Sequence, residues 1–205
     1  MNEHQILIVD DDNQNLQLLY TYLSMIDSNY SIVKTNRSKK ALKLAKSRQP
    51  DLIITDWEMP ALNGLELLKE LKSDSETKDI PVIMLTGIML ASENLKLAFD
   101  AGAVDFISKP VRKNELSARV TSVLKLTDSY KEIKKLNNEK DNFLNIIMDD
   151  LSGPFNDLLG IAQKLNDGMK NYSQKEIETT VKQLKKSADK NSIILSRLLE
   201  WSKNE

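Results

Sequence analysis

The chain predicts an α/β fold: a doubly wound, five-stranded parallel sheet, followed by an all-α helical hairpin. Three observations carry this. Five short apolar runs recur over the first 125 residues: ILIV at 6–9, SIVK at 31–34, DLIIT at 51–55, IPVIML at 80–85 and VDFI at 104–107. Each is followed by a stretch of helical periodicity. From Val111 to Ser152 there is then neither Gly nor Pro.

Runs of aliphatic and β-branched residues without polar alternation are the pattern of strands covered on both faces, and the helical stretches between them supply right-handed βα crossovers. In such a sheet a ligand site lies beyond the carboxyl ends of the strands, where the winding reverses. The sequence places Asp10, Asp11 and Asp12 at the end of the first strand, Thr55 and Asp56 at the third, Thr86 and Gly87 at the fourth, and Lys109-Pro110 after the fifth.

Clustered carboxylates repel unless a cation lies among them, and an oxygen-rich, hydrated set suits Mg²⁺. Phosphoryl transfer needs an in-line nucleophile and positive charge on the phosphoryl oxygens. Asp56 can attack, Lys109 with Mg²⁺ can neutralise charge, and Thr86 can donate a hydrogen bond. The acidic run at 10–12 also fits a plain helix cap ahead of Asn13.

The C-terminal stretch reads as helix. The last helix of the α/β unit can run through TDSYKEIKKLNNEKDNF with only a mild interruption at Thr127–Ser129. Its apolar positions Leu126, Tyr130, Ile133, Leu136, Leu144, Ile147 and Leu151 step by threes and fours, with Lys140 in one slot. A second helix over about Gln174–Lys203 repeats the pattern with Ile177, Val181, Leu184, Ala188, Leu195 and Leu198, after a Gly stop and Ser cap in NDGMKNYS. A period near 3.5 predicts a coiled-coil seam. Two such helices cannot close a core alone, so a symmetric homodimer forming a four-helix bundle is expected. The division expected is 1–125 for the α/β domain, 126–138 for a helical linker and 139–205 for the dimerisation hairpin.

Composition narrows the classes. There is no cysteine, so disulfides, thiolate zinc sites and cysteine nucleophiles are excluded. Residues 126–205 hold 13 Lys/Arg against 13 Asp/Glu, so no basic face points to nucleic acid. The first residues lack signal-peptide character and no apolar run is long enough to span a bilayer. A cytoplasmic protein with no membrane partner is expected.

The motifs ILIVDDD, DLIITDWEMPALNG, PVIMLTG and FISKP, in this order and spacing, resemble the receiver domain of two-component response regulators over residues 5 to about 125. The resemblance implies a flavodoxin-like strand order 2-1-3-4-5. It implies that Asp56 accepts phosphate, that Asp10, Asp11 and Asp56 with the Glu58 main-chain carbonyl hold Mg²⁺, and that Lys109 binds the phosphate. Thr86 would be the switch hydroxyl, Phe106 its aromatic partner, and Lys109-Pro110 a cis peptide. The partner implied is a cognate sensor histidine kinase or phosphotransfer protein.

The phrase FLNIIMDDLSGPF resembles the opening of the histidine-kinase dimerisation and phosphotransfer helix, and LSRLLEWSKNE the end of its second helix. The position of the phosphorylated histidine holds Asp149, and a carboxylate lacks the nitrogen that takes phosphate from ATP. The one histidine, His4, precedes the first strand and reads as an ordinary surface residue. With the chain ending at Glu205, no ATP-binding domain is expected. The protein is therefore expected not to be an enzyme in the usual sense, beyond receiver self-phosphorylation and dephosphorylation. The expected function is a phosphorylation-switched regulator whose output is a protein-binding helical pair. The alternatives are a pseudokinase-like decoy or phosphate sink, or the receiver and dimerisation part of a longer hybrid kinase.

Overall fold

The computed structural model describes residues 4–87, 92–168 and 171–203, with side chains described throughout these except at 92–95, 146, 149, 150 and 197–203. The chain divides into two compact units, Met1–Glu132 and Ile133–Glu205.

In the first unit, β1 (Gln5–Val9), β2 (Ser31–Thr35), β3 (Leu52–Asp56), β4 (Val82–Thr86) and β5 (Asp105–Ser108) form one parallel sheet in the order β2-β1-β3-β4-β5. The expected fold class and strand order are both observed. Between the strands lie α1 (Asn13–Ile26), α2 (Ser38–Arg48), α3 (Gly64–Ser73) and α4 (Ser92–Asp100), and α5 (Lys113–Gly168) follows β5.

Strand side chains alternate between faces, and this alternation divides the core. Ile6, Ile8, Leu52, Ile54, Ile83, Leu85 and Ile107 meet Leu16, Leu19 and Leu23 of α1 and Leu116, Val120 and Leu124 of α5. On the opposite face Leu7, Val9, Ile53, Val82 and Met84 meet Ala41 and Ala45 of α2, Leu67, Leu68 and Leu71 of α3 and Ala98 of α4. Burying each Leu or Ile contributes about 1.5–3 kcal/mol, so both faces of the sheet must be covered, and the apolar runs are continuous for that reason.

The caps decide where the helices start. Asp12 is the N-cap of α1 and accepts from the Gln14 amide. The capping reading of the acidic run therefore holds for Asp12, whereas Asp10 is wholly buried. Asn63 and Glu66 form a reciprocal capping box at α3, which satisfies two donors otherwise left without partners.

That cap brings α3 hard against the end of β3. The Gly64 amide donates to the Trp57 carbonyl, and a Cβ at position 64 would collide with the Asp56 carbonyl oxygen and lie 2.9 Å from its carbon.

Two ties were not expected. Lys72 donates from its ammonium to the carbonyls of Lys78 (2.8 Å) and Ile80 (2.7 Å) in the connection between α3 and β4, and burial lowers its pKa. Its stem lies against Gly102, whose φ of 99° suits glycine and whose missing Cβ leaves room for Lys72 Cγ. His4, expected at the surface, is instead largely buried between Asp51 and Asp128 (3.4 Å from its Nε2) and edge-on to Tyr30. Asp51 is also ion-paired with Lys131 and accepts from the Gln5 amide. This cluster joins the N-terminal edge of the sheet to α5.

Helix α5 shows no break at Thr127–Ser129: both hydroxyls turn back onto carbonyls one turn earlier, Val123 and Lys125, the local bond that lets Ser and Thr sit inside a helix.

The second unit comprises the rest of α5 and α6 (Gln174–Lys203). Ser173 caps α6 through a capping box with Glu176. Among the described residues the least exposed positions are Phe143, Ile147, Leu151, Pro154, Leu158, Ile161, Ala162, Leu165 and Gly168 on α5, and Ile177, Thr180, Leu184, Ser187, Asn191 and Ile194 on α6. Of the apolar stripe expected on α6, Ile177 and Leu184 are inward in the single chain, Val181 and Leu195 stand 46% and 41% exposed, and the Leu198 side chain lies outside the described residues. Among the described residues no helix is long and apolar enough to cross a membrane.

Gly64→Ala is expected to destabilise the first unit by about 1–3 kcal/mol, the range for forced overpacking. Gln49, which ends α2 at φ 47°, should show the opposite: Gln49→Gly gains about 0.5–1 kcal/mol by relieving a left-handed conformation. Urea unfolding of both variants measures the pair.

Candidate functional site: an acidic rim at the strand ends

Asp10, Asp11, Asp56, Thr86 and Lys109 come from four strand ends, and the winding of the sheet gathers them. Asp10 and Asp11 directly follow β1, Asp56 and Thr86 close β3 and β4, and Lys109 directly follows β5. Ligand oxygens of Asp10, Asp11 and Asp56 lie within 4.8 Å of one another. Asp10 and Asp56 are 0% and 4% exposed, whereas Asp11 is exposed.

The Lys109 ammonium sits between the two buried carboxylates, 2.8 Å from Asp56 Oδ1 and 3.1 Å from Asp10 Oδ2. The Lys109-Pro110 bond is cis, and the Lys109 amide donates to the Thr86 carbonyl at 2.7 Å, which anchors its main chain at the end of β4. Asp10 Oδ1 accepts from the Asp12 amide (2.9 Å) and from Asn15 Nδ2 (3.2 Å). Asp56 Oδ1 also accepts from the Trp57 amide at 2.9 Å.

Opposing effects act on these groups. Burial raises the pKa of Asp56 above the ordinary 3.8, with the Asp10 charge adding to the rise, while the hydrogen bond and charge of Lys109 and the Trp57 amide oppose it. For Lys109 burial works to lower the pKa, but Asp56 and Asp10 outweigh it, so the pKa rises and the ammonium is held. A buried carboxylate crowded by a second one, with a single cation between them, is an incomplete charge balance. Three carboxylates that supply only oxygen match what a hard divalent cation takes up. The donor set fits Mg²⁺.

The remaining expected residues are placed as follows. Thr86 is buried at the rim and Glu58 is exposed in the loop after β3. Phe106 on β5 is half-buried, edge-on to Phe99 at 6.1 Å, with the Arg119 guanidinium 5.3 Å from its ring centre. Arg119 is held there by both oxygens of Asp105. Asp149 is within α5, and its side chain lies outside the described residues. Gly87 has open space where a Cβ would be.

Sequence reasoning missed Asn15, the Trp57 amide and Gly64 as parts of the site. Asn15 and Gly64 had a readable signal, one in the first turn of the helix after the acidic run and the other closing DWEMPALNG. The Trp57 amide, a main-chain group, had none.

The response regulator receiver domain family matches residues 6–121. The chain is 38% identical over 123 residues to the phosphate regulon transcriptional regulatory protein PhoB of Pseudomonas aeruginosa, covering 60% of this chain and 52% of that one. It is 35% identical over 131 residues to the DNA-binding dual master transcriptional regulator RpaA of a Synechocystis species, covering 64% and 53%. Among solved structures, chemotaxis response regulator CheY4 of Vibrio cholerae superposes with a TM-score of 0.55 at 27% identity, covering 60% of this chain and 99% of that one. The chain spans about half the length of the curated relatives it matches. With a family match over more than half its length and the sheet order, acidic rim and lysine all in place, this chain belongs to the response regulator receiver domain family.

Proposed function

We propose that the chain is a phosphorylation-switched regulator that takes a phosphoryl group on Asp56 and answers through its helical unit. The observation that carries this is the Lys109 ammonium bridging Asp56 and Asp10 at a rim of three carboxylates. Asp56 Oδ1 is engaged by Lys109 and the Trp57 amide, and among the described residues nothing donates to Oδ2. Oδ2 is the oxygen that attacks phosphorus: a phosphorus–oxygen bond forms to Asp56 as the bond to the donor's leaving group breaks.

Asp10, Asp11, Asp56 and the Glu58 main-chain carbonyl would hold Mg²⁺, which when bound supplies charge neutralisation at the transferred phosphoryl group. Lys109 then moves its hydrogen bond from the carboxylate to a phosphoryl oxygen. Thr86 donates its hydroxyl to another, and Phe106 repacks against Phe99 and Arg119. The donor is a sensor histidine kinase or a phosphotransfer protein. No autokinase activity belongs to this chain, because its hairpin carries Asp149 where kinases carry histidine.

Helix α5 belongs to both compact units and is the covalent route for the signal. In the second unit Leu144, Met148, Phe155 and Leu159 of α5 and Val181 and Leu195 of α6 are exposed. They recur at helical spacing beside the stripes that pair the two helices. A second copy presenting the same stripes closes a four-helix bundle, the arrangement in which self-complementary faces bury each other. The DNA-binding description of a relative refers to a protein only about half covered by this chain. Helices α5 and α6 offer instead a kinase-like surface for a protein partner.

Acetyl phosphate with Mg²⁺ is expected to add the mass of one phosphoryl group, located at residue 56 by peptide mapping. Asp56→Asn or omission of Mg²⁺ should abolish it, and labelling at another residue would refute the assignment. Lys109→Met should slow labelling at least about tenfold, a loss of roughly 1.4 kcal/mol of transition-state stabilisation.

The raised pKa of Asp56 has a definite sign. Its contribution favours the folded state below the unfolded pKa and is lost as pH rises through the folded value. In EDTA at neutral pH, Asp56→Asn is therefore expected to melt above the parent, with the gap closing as pH falls toward about 4. Mg²⁺ should raise the midpoint of the parent and leave that of Asp56→Asn nearly unmoved. Scanning calorimetry reads all four conditions.

For the helical unit, the double substitution Leu144→Glu, Leu159→Glu is expected to weaken self-association at least about tenfold, or about 1.4 kcal/mol, with unchanged acetyl phosphate labelling. Sedimentation equilibrium measures it, and an unaltered dimer would dismiss the bundle.

A further inference from the structure

We propose that Asn191 and Ser187 form a polar lock on the rotation of α6, turning its more apolar stripe outward. The starting point is a mismatch between pattern and packing. By apolar content alone, α6 should face α5 with Ile177, Val181, Leu184, Ala188 and Leu195. Instead Thr180, Ser187, Asn191 and Ile194 share the inner face with Ile177 and Leu184, while Val181, Ala188 and Leu195 are exposed. Positions 181, 188 and 195 follow 177, 184 and 191 by four residues, about 40° around the helix at 3.6 residues per turn. A modest rotation would bury them.

The polar contacts oppose that rotation. Asn191 is 4% exposed, and its Nδ2 donates to the Pro154 main-chain carbonyl at 3.3 Å. One turn earlier, the Ser187 hydroxyl donates to the same oxygen at 3.5 Å. Two side chains of α6 thus converge on one main-chain oxygen of α5, that of the proline inside it.

Asn191 Oδ1 is buried and has no hydrogen-bond partner among the described residues. An unmet buried acceptor opposes stability, so Asn191 is a poor choice for packing and a good one for fixing a single arrangement, the use for which a lone buried Asn in an apolar helical seam is best attested. Ser187 and Asn191 are positioning residues, acting through Pro154. The lock works within one chain. Its bearing on the partner face rests on the dimer reading, because the outward stripe it maintains includes Val181 and Leu195.

The absence of cysteine gives a clean test. In the full chain, Thr180→Cys places a single thiol on the inner face, which is covered whether or not a second copy is bound. Its alkylation by a maleimide is expected to be slow in the parent background. It should become at least about tenfold faster when Asn191→Leu and Ser187→Ala are added, while the thermal midpoint of the helical unit rises. An unchanged alkylation rate overturns the proposal. So does lost helicity by circular dichroism, because Leu is the better helix former and removes the unmet acceptor. Ser187→Thr, which keeps the hydroxyl, should restore slow alkylation in part when Asn191 is intact, whereas Ser187→Ala should not. Failure of the chain to dimerise with the lock intact would refute the bundle and leave the rotational result standing.

Discussion

The ammonium of Lys109 between the carboxylates of Asp56 and Asp10 is the contact on which the first unit turns. Two largely buried carboxylates side by side would repel each other, and burial alone pushes Asp56 toward its neutral form. One cation relieves both and is in turn kept charged by them. Much of the surrounding structure serves to hold that nitrogen and those oxygens. The sheet order puts the ends of β1, β3 and β5 at one edge. Asn15 and the Asp12 amide fix Asp10, and the Trp57 amide fixes Asp56. The close approach of Gly64 to the Asp56 carbonyl sets where β3 ends. What remains is a charge deficit of the kind a divalent cation corrects.

Why this half was legible is a matter of period. Strands buried on both faces are written as unbroken aliphatic runs, so ILIV, LIIT and VIML located the sheet with errors of one or two residues, and what followed each run located the rim. Main-chain donors and long-reach side chains carry no such signature. Lys72 reads as an ordinary surface lysine of an amphipathic helix, yet it holds two carbonyls of the connection leading into β4. His4 sits in no pattern at all, and only its neighbours from three other segments show why it is covered.

The helical unit was legible in a different and more misleading way. Hydrophobic spacing found both helices, and the Gly and Ser of NDGMKNYS found the Ser173 cap, but spacing alone did not separate the residues of α6 that face α5 from those that stay exposed in the single chain. Apolar periodicity reports which residues prefer to be covered, and is silent on what covers them. In an isolated pair the best apolar stripe would face the neighbouring helix. Here Pro154, Ser187 and Asn191 hold a different arrangement, and the apolar residues left outside are those an assembly of two chains would use. The departure of pattern from packing therefore says more about function than agreement would have done.

The largely buried imidazole of His4, tucked between Asp51 and Asp128 and against Tyr30, bears on how the first unit tolerates changes just ahead of β1. The first few residues of a domain are commonly dispensable because nothing anchors them. In this chain the fourth residue helps tie the lower edge of the sheet to α5. Replacing it would loosen the footing of α5 on the sheet while leaving every group of the acidic rim in place.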